Sequence, residues 1–225
     1  MMLITRQRTN AACLAAAGLL AISACSSDGS GGSDASDSGK ISGADVGESK
    51  SPSADPSTSD TPEKGAPAFD LPQDVTVAIE KAQTGDPKKD EVLRDVGYAA
   101  KAQIEAFAKG DGYTANMQRY YTGLASPYWG KQIKKYRDRD RTVTGQYEYY
   151  GLQVRDLNGK VATARYCEDQ RKAFGKEIKS GKVIRTKSSK DAFVETKLEA
   201  QKNAKGDWQV RQFEWKKAAE SCVRG

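Results

Sequence analysis

Between Pro87 and Lys109 the apolar residues Val92, Leu93, Val96, Ala100, Ile104, Phe107 and Ala108 recur at helical spacing. Asp86-Pro87 supplies an N-cap followed by a first-turn proline, and Lys109-Gly110 supplies a stop, so a helix is predicted over 87–109. Before it, Val75, Val77 and Ile79 alternate with Thr76 and Ala78, the pattern of a short strand. A second helix is predicted from about Tyr113 to Tyr121, ending near Gly123. A third starts at Ser126-Pro127 and carries Tyr128, Trp129, Ile133 and Tyr136 on one face.

From Val143 the period changes to two. Gln146 to Tyr150 and Leu152 to Val154 read as one long strand, Asn158-Gly159 as a hairpin turn, and Val161 to Asp169 as the returning partner. Strand pieces are expected around Gly175 and Gly181. A strand over Ala192–Ala200 follows, and the last, Trp208–Trp215, comes after a Gly206-Asp207 turn. Helices first and an antiparallel meander afterwards predict an α+β domain, with helices packed on one face of a curved sheet.

The first 70 residues obey no such period. Arg6 and Arg8 precede an apolar run from Ala11 to Ala21, which reads as a signal peptide over 1–24. That run is shorter than the roughly 20 apolar residues that cross a bilayer. Leu20-Ala21-Ile22-Ser23-Ala24-Cys25 has the form of a lipobox, with small residues leading into a lipid-accepting cysteine. A diacylglyceryl group on Cys25 offers two acyl chains to the membrane, and two chains hold stably where one does not. Residues 25–70 form a Ser/Gly/Asp/Pro-rich tract with little to bury, expected to be a disordered tether spanning roughly 35–40 Å. The remaining 71–225 suffice for one domain with its own core.

Charge divides along the same boundaries. The chain carries +6 overall. The tract 26–70 holds nine acidic residues against three lysines, which leaves 31 basic and 21 acidic residues in 71–225. An acidic tether thus carries a basic domain. The expected address is the extracytoplasmic face of a bacterial cell membrane, where phospholipid headgroups and wall polymers are the anionic partners and nucleic acid is not. Lys131, Lys134, Lys135, Arg137, Arg139 and Arg141 crowd the far end of the third helix. Cations there complement the helix dipole, or they touch an anionic surface. Cys167 and Cys222 are an even pair in a chain bound for an oxidising compartment. They are either bridged, the favoured reading, or two separate thiols.

Thr84-Gly85-Asp86-Pro87, Val92-Leu93-Arg94-Asp95, the Gly110-Asp111 break, the Tyr166-Cys167 strand and the closing Gly206-Asp207-Trp208-Gln209-Val210 together resemble the NTF2-like (SnoaL-like) lipoproteins of actinobacteria. The resemblance covers roughly 71–225 and implies a cone in which a bent sheet wraps a helix and leaves a pocket at its open end. Many such proteins bind or scaffold, and some are enzymes. Those with cyclase or isomerase activity set an Asp or His base inside the cone opposite a hydrogen-bond donor. This chain has no histidine, which removes the commonest general base and zinc ligand. Asp138 and Asp140 are expected to pair with Arg137, Arg139 and Arg141. Glu168 and Asp169 look like the polar end of a strand, and no carboxylate dyad, nucleophile elbow, phosphate loop or metal motif is apparent. A Tyr–Asp site is the remaining catalytic option.

Tyrosines are the other clue. Tyr98, Tyr120, Tyr128, Trp129 and Tyr149 are the candidate pocket or interaction face, with an ordinary tyrosine-edged core as the alternative. The expectation is therefore a lipid-anchored, non-enzymatic binding module without cofactor or metal, partnered by an envelope protein or anionic wall polymer. A small-ligand or lipid carrier using the cone pocket is the second reading, and an isomerase- or cyclase-type enzyme the third.

Overall fold

The computed structural model describes residues 65–224, all within one compact unit, Thr58–Gly225, that holds a complete core of its own. The expected signal peptide, the expected lipobox with Cys25 and the greater part of the expected tether lie outside the described residues. Element order follows the sequence: β1 (Val75–Ile79), α1 (Pro87–Lys109), α2 (Ala115–Tyr120), α3 (Ala125–Arg137), β2 (Arg141–Asn158), β3 (Val161–Glu177), β4 (Val183–Ile184), β5 (Phe193–Lys202) and β6 (Trp208–Lys217).

Helix α1 begins and ends where its punctuation says. The Asp86 carboxylate accepts from the Lys88 N–H, Pro87 opens the first turn, and Gly110 caps the end at φ +66°, the left-handed region that an L side chain resists. Helix α3 differs. It starts at Ala125, with Leu124 as a cap that makes no side-chain hydrogen bond, so Ser126-Pro127 sits inside the first turn rather than before it.

The strands β2, β3, β5 and β6 form an antiparallel meander in the order β1-β2-β3-β5-β6, with β4 on β3. The sheet is mixed rather than wholly antiparallel, because β1 pairs β2 in parallel, Val75 with Gly145 through to Ile79 with Tyr149. All three helices lie between these two strands, and a connection of that length is what a parallel return requires. At the β2–β3 hairpin, Asn158 pairs with Val161, so the turn residues are Gly159-Lys160. Three register shifts interrupt the β2–β3 ladder, between Gln146/Glu148, Tyr150/Gln153 and Val154/Asp156, and such bulges bend a strand.

The bend is large. Gly97 of α1 sits against Ile79 of β1, and a Cβ there would lie 3.1 Å from its side chain. Two residues earlier on the same helix, the Asp95 carboxylate accepts from the Trp208 N–H of β6 at 2.8 Å. These strands are opposite edges of the sheet, which would stand about 19 Å apart if it were flat. The sheet therefore wraps α1 and closes on it. Helices against a curved mixed sheet make the α+β cone that the NTF2-like resemblance implies.

Candidate functional site: the cone interior and its mouth

Side chains on strands alternate between faces, and the inward set here is specific. On β3, Ala162, Ala164, Tyr166 and Glu168 are buried; opposite them on β5 lie Ala200, Leu198, Thr196 and Val194. Strand β2 adds Tyr147 and Tyr149, and Tyr149 faces Glu168 across the ladder. The Tyr149 hydroxyl donates to Glu168 Oε1 at 3.1 Å, and the Tyr166 ring meets Tyr149 edge-on at 5.6 Å between centroids. Burial pushes the Glu168 carboxyl above the ordinary range, against hydrogen bonds from Gln170 and Tyr149 that favour its charged form. The phenols of Tyr149 and Tyr121 are driven up for the same reason.

Glu168 is thus no polar strand end. Strand β3 continues nine residues beyond it, to Glu177, and carries the acid into the core. Parity was the signal available in sequence, since Glu168 shares the alternation of Ala162, Ala164 and Tyr166. Asp169 points the other way. Burial alone would raise its carboxyl, but the Arg171 guanidinium, at 3.0 and 2.8 Å, holds it below the usual range.

Little space remains inside. The cavity bounded by Val96, Tyr121, Trp129, Tyr166, Thr196 and Phe213 measures about 10 Å³, room for about one water molecule. Its mouth is shut by the Trp129 and Phe213 rings, stacked with centroids 5.0 Å apart and planes 5° from parallel; Tyr128 packs edge-on to both. The open-ended pocket implied by the resemblance is filled by the chain's own aromatics. A larger groove, about 870 Å³, lies outside the cone between β1 and α1, lined by Phe69, Val77, Ile79, Leu93 and Tyr98 among others.

The five aromatic candidates therefore occupy three places. Tyr149 is interior. Tyr128 and Trp129 guard the mouth. Tyr98 lines the outer groove and packs on Phe69 and Tyr120, and Tyr120 is core, its hydroxyl buried without a partner. Phe69 belongs to the arm Gly65–Asp70, which sequence assigned to the tether; here the Asp70 N–H donates to Glu105 at 2.9 Å and Asn116 donates to the Ala68 carbonyl.

The basic candidates also divide. Lys134 pairs with Asp138 at 2.7 Å, Arg137 donates to the Gly110 carbonyl, and Arg141 pairs with Glu177 at 3.3 Å. The expected pairing of Asp138 with the neighbouring arginines is replaced by this helical i,i+4 contact, because Lys134 lies one turn back on the same face. Asp140 turns the chain at φ +58° instead. Lys131, Lys135 and Arg139 are exposed, and their side chains have no ionic or hydrogen-bonding partner among the described residues. Cys167 and Cys222 are joined in a disulfide, Cα–Cα 5.4 Å, which clips the C-terminal segment to the outer face of the sheet. No group of His, Cys, Asp and Glu among the described residues has the geometry of a metal site, and no described helix is long and apolar enough to cross a membrane.

No family model matches the chain, and no curated protein does. Solved structures do. An NTF2-like superfamily protein from Salmonella enterica serovar Typhimurium is similar at 11% identity, covering 59% of this chain and 94% of its own, with a TM-score of 0.38. A ketosteroid isomerase-like protein from Erwinia carotovora atroseptica is similar at 17% identity over 56% of this chain and 96% of its own, TM-score 0.37. A putative aromatic ring hydroxylase from Novosphingobium aromaticivorans is also similar, at 10% identity over 56% of this chain and 89% of its own, TM-score 0.40. Their likeness is one of outline; the chemistry of this chain rests on its own residues.

Proposed function

We propose that the protein is a lipid-anchored, extracytoplasmic binding module of the bacterial cell envelope, working through its surface and not by catalysis. One observation carries this reading: the cone interior has room for about one water and its mouth is stacked shut, so no substrate-sized molecule fits there. The lipobox at Cys25 and the basic character of 71–225 supply the address and the attraction. The test is fractionation of cells producing the full chain or its Cys25→Ser variant. The parent is expected in membranes, resistant to high salt and released by detergent, and the variant in the soluble fraction. Identical partitioning of the two overturns the anchor.

A second reading, an isomerase- or cyclase-type site, is favoured by the sealed Glu168–Tyr149 pair, a carboxyl whose affinity for its proton is raised by burial, beside a hydroxyl donor. It requires Trp129 and Phe213 to part. The carrier reading moves from the cone to the groove beside β1. Native mass spectrometry on protein taken gently from its own membranes decides among these. An apo mass is expected, and a reproducible bound molecule overturns the module reading in favour of a ligand site.

A further inference from the structure

At 100° per residue, Leu124, Tyr128, Lys131 and Lys135 share an arc of about 60° on α3, opposite the side that buries Ala125, Gly130 and Ile133. Leu124 is 74% exposed and Tyr128 39%. Helix α3 and strand β6 run the same way: Gly123 lies against Arg211, and Tyr128 meets the Phe213 ring at 5.2 Å. Trp215, two residues beyond Phe213 on the same strand face, is 49% exposed farther along the strand that flanks α3, and exposed Lys217 follows it. We propose that this face, made of Leu124, Tyr128, Lys131, Lys135 and Trp215, docks on an anionic phospholipid surface. The proposal rests on the envelope address given above and names the partner of that module.

The composition decides the occupant. An anionic wall polymer would use the lysines but offers no apolar environment for Leu124 or Trp215. A bilayer interface uses all of them: leucine enters the acyl boundary, Tyr and Trp rings settle at headgroup level with their polar ends wet, and lysine stems lie along the apolar part while the ammonium reaches phosphate. Tyr128 is braced for that position by edge-on contacts to Trp129 and Phe213. Lys131 and Lys135 can give their charge to lipid because no described residue pairs with them, unlike Lys134 and Arg141. The surface thus differs from the simple basic run read in the sequence.

The experiment uses the chain from Thr58 onward, which forms one compact unit and lacks Cys25. It is mixed with vesicles of phosphatidylcholine alone, or of phosphatidylcholine with phosphatidylglycerol, and followed by sedimentation and tryptophan emission. The parent is expected to bind only the anionic vesicles with a blue-shifted emission, and Trp215→Phe to lose most of that shift. Lys131→Gln/Lys135→Gln is expected to weaken partitioning about fivefold per lysine. Leu124→Ser is expected to weaken it about tenfold at unchanged charge. Unchanged urea midpoints establish that the variants are folded. Absence of binding, or equal binding to both vesicle types, overturns the proposal. So does parent-like binding by both Leu124→Ser and Trp215→Phe, which would identify a purely ionic contact of the wall-polymer kind. None of these outcomes bears on the anchor, which is read from Cys25→Ser in the full chain.

Discussion

Glu168 is the residue on which stability and chemistry meet. Its folded carboxyl prefers the proton, so its contribution is fully present below the unfolded carboxylate range and is lost as pH rises through the elevated folded value. Glu168→Gln keeps a neutral group of the same shape. Urea midpoints measured from acid to neutral pH should show the parent losing stability relative to this variant as pH rises; a constant difference would mean that folding does not raise the carboxyl's proton affinity. Tyr120 offers a simpler test. Its hydroxyl is buried with no partner, so Tyr120→Phe should gain about 1 kcal/mol in chemical denaturation, and a loss would reveal a partner for that oxygen. Strand parity hinted at Glu168's inward side, but neither its burial nor the orphaned Tyr120 hydroxyl was legible in sequence. Gln170-Arg171-Lys172 looks like solvent after a strand end, yet β3 runs on through it, and a tyrosine in a helical stripe does not announce whether its oxygen is satisfied.

Elements were more legible than their partners. The Asp-Pro start, the Gly stop and the heptad-like apolar spacing of α1 are local signals, and the helix obeys all of them. What no local pattern encodes is which strand β1 joins. Val75 meets Gly145, 70 residues away, and both directions of pairing suit the same alternation. Gly145 itself, at φ +94°, is also pressed from its other side: a Cβ there would come within 2.1 Å of the Lys172 carbonyl oxygen of β3. Gly145→Ala should therefore cost more than about 2 kcal/mol, read as a fall in the urea midpoint. The disulfide closes a loop of 55 residues. Replacing both Cys167 and Cys222 by Ala should remove about 4 kcal/mol by chain entropy and free the C-terminal clip to proteolysis, while the α1 amides keep their exchange protection. Loss of all protection would place the bridge in the core of folding instead.

At the scale of the whole molecule, the sheet closes on its helix and the aromatics close the mouth. Trp129→Ala should open the interior toward Tyr166 and Thr196, lowering stability by about 3 kcal/mol and admitting a hydrophobic dye that the parent excludes. Dye uptake by the parent would show that the Trp129–Phe213 stack opens unaided. The sequence resemblance anticipated the cone but could not say whether it was hollow, because filling depends on which tyrosines point inward from strands whose bulges shift parity.

The chain enters the fold through the arm Gly65–Asp70, docked on Glu105 and Asn116, and then β1, an edge strand held by one neighbour. Asp74, just ahead of it, is clasped by Thr144 and Lys176, and its backbone carbonyl accepts from Gly145. Tension applied from the N-terminal side would load the arm's bonds to Glu105 and Asn116 first, then that clasp, and then peel the five residue pairs of β1. The meander β2, β3, β5 and β6 would remain shut by its own ladders and the Cys167–Cys222 bridge. The domain thus carries a mechanical fuse at its N-terminal edge.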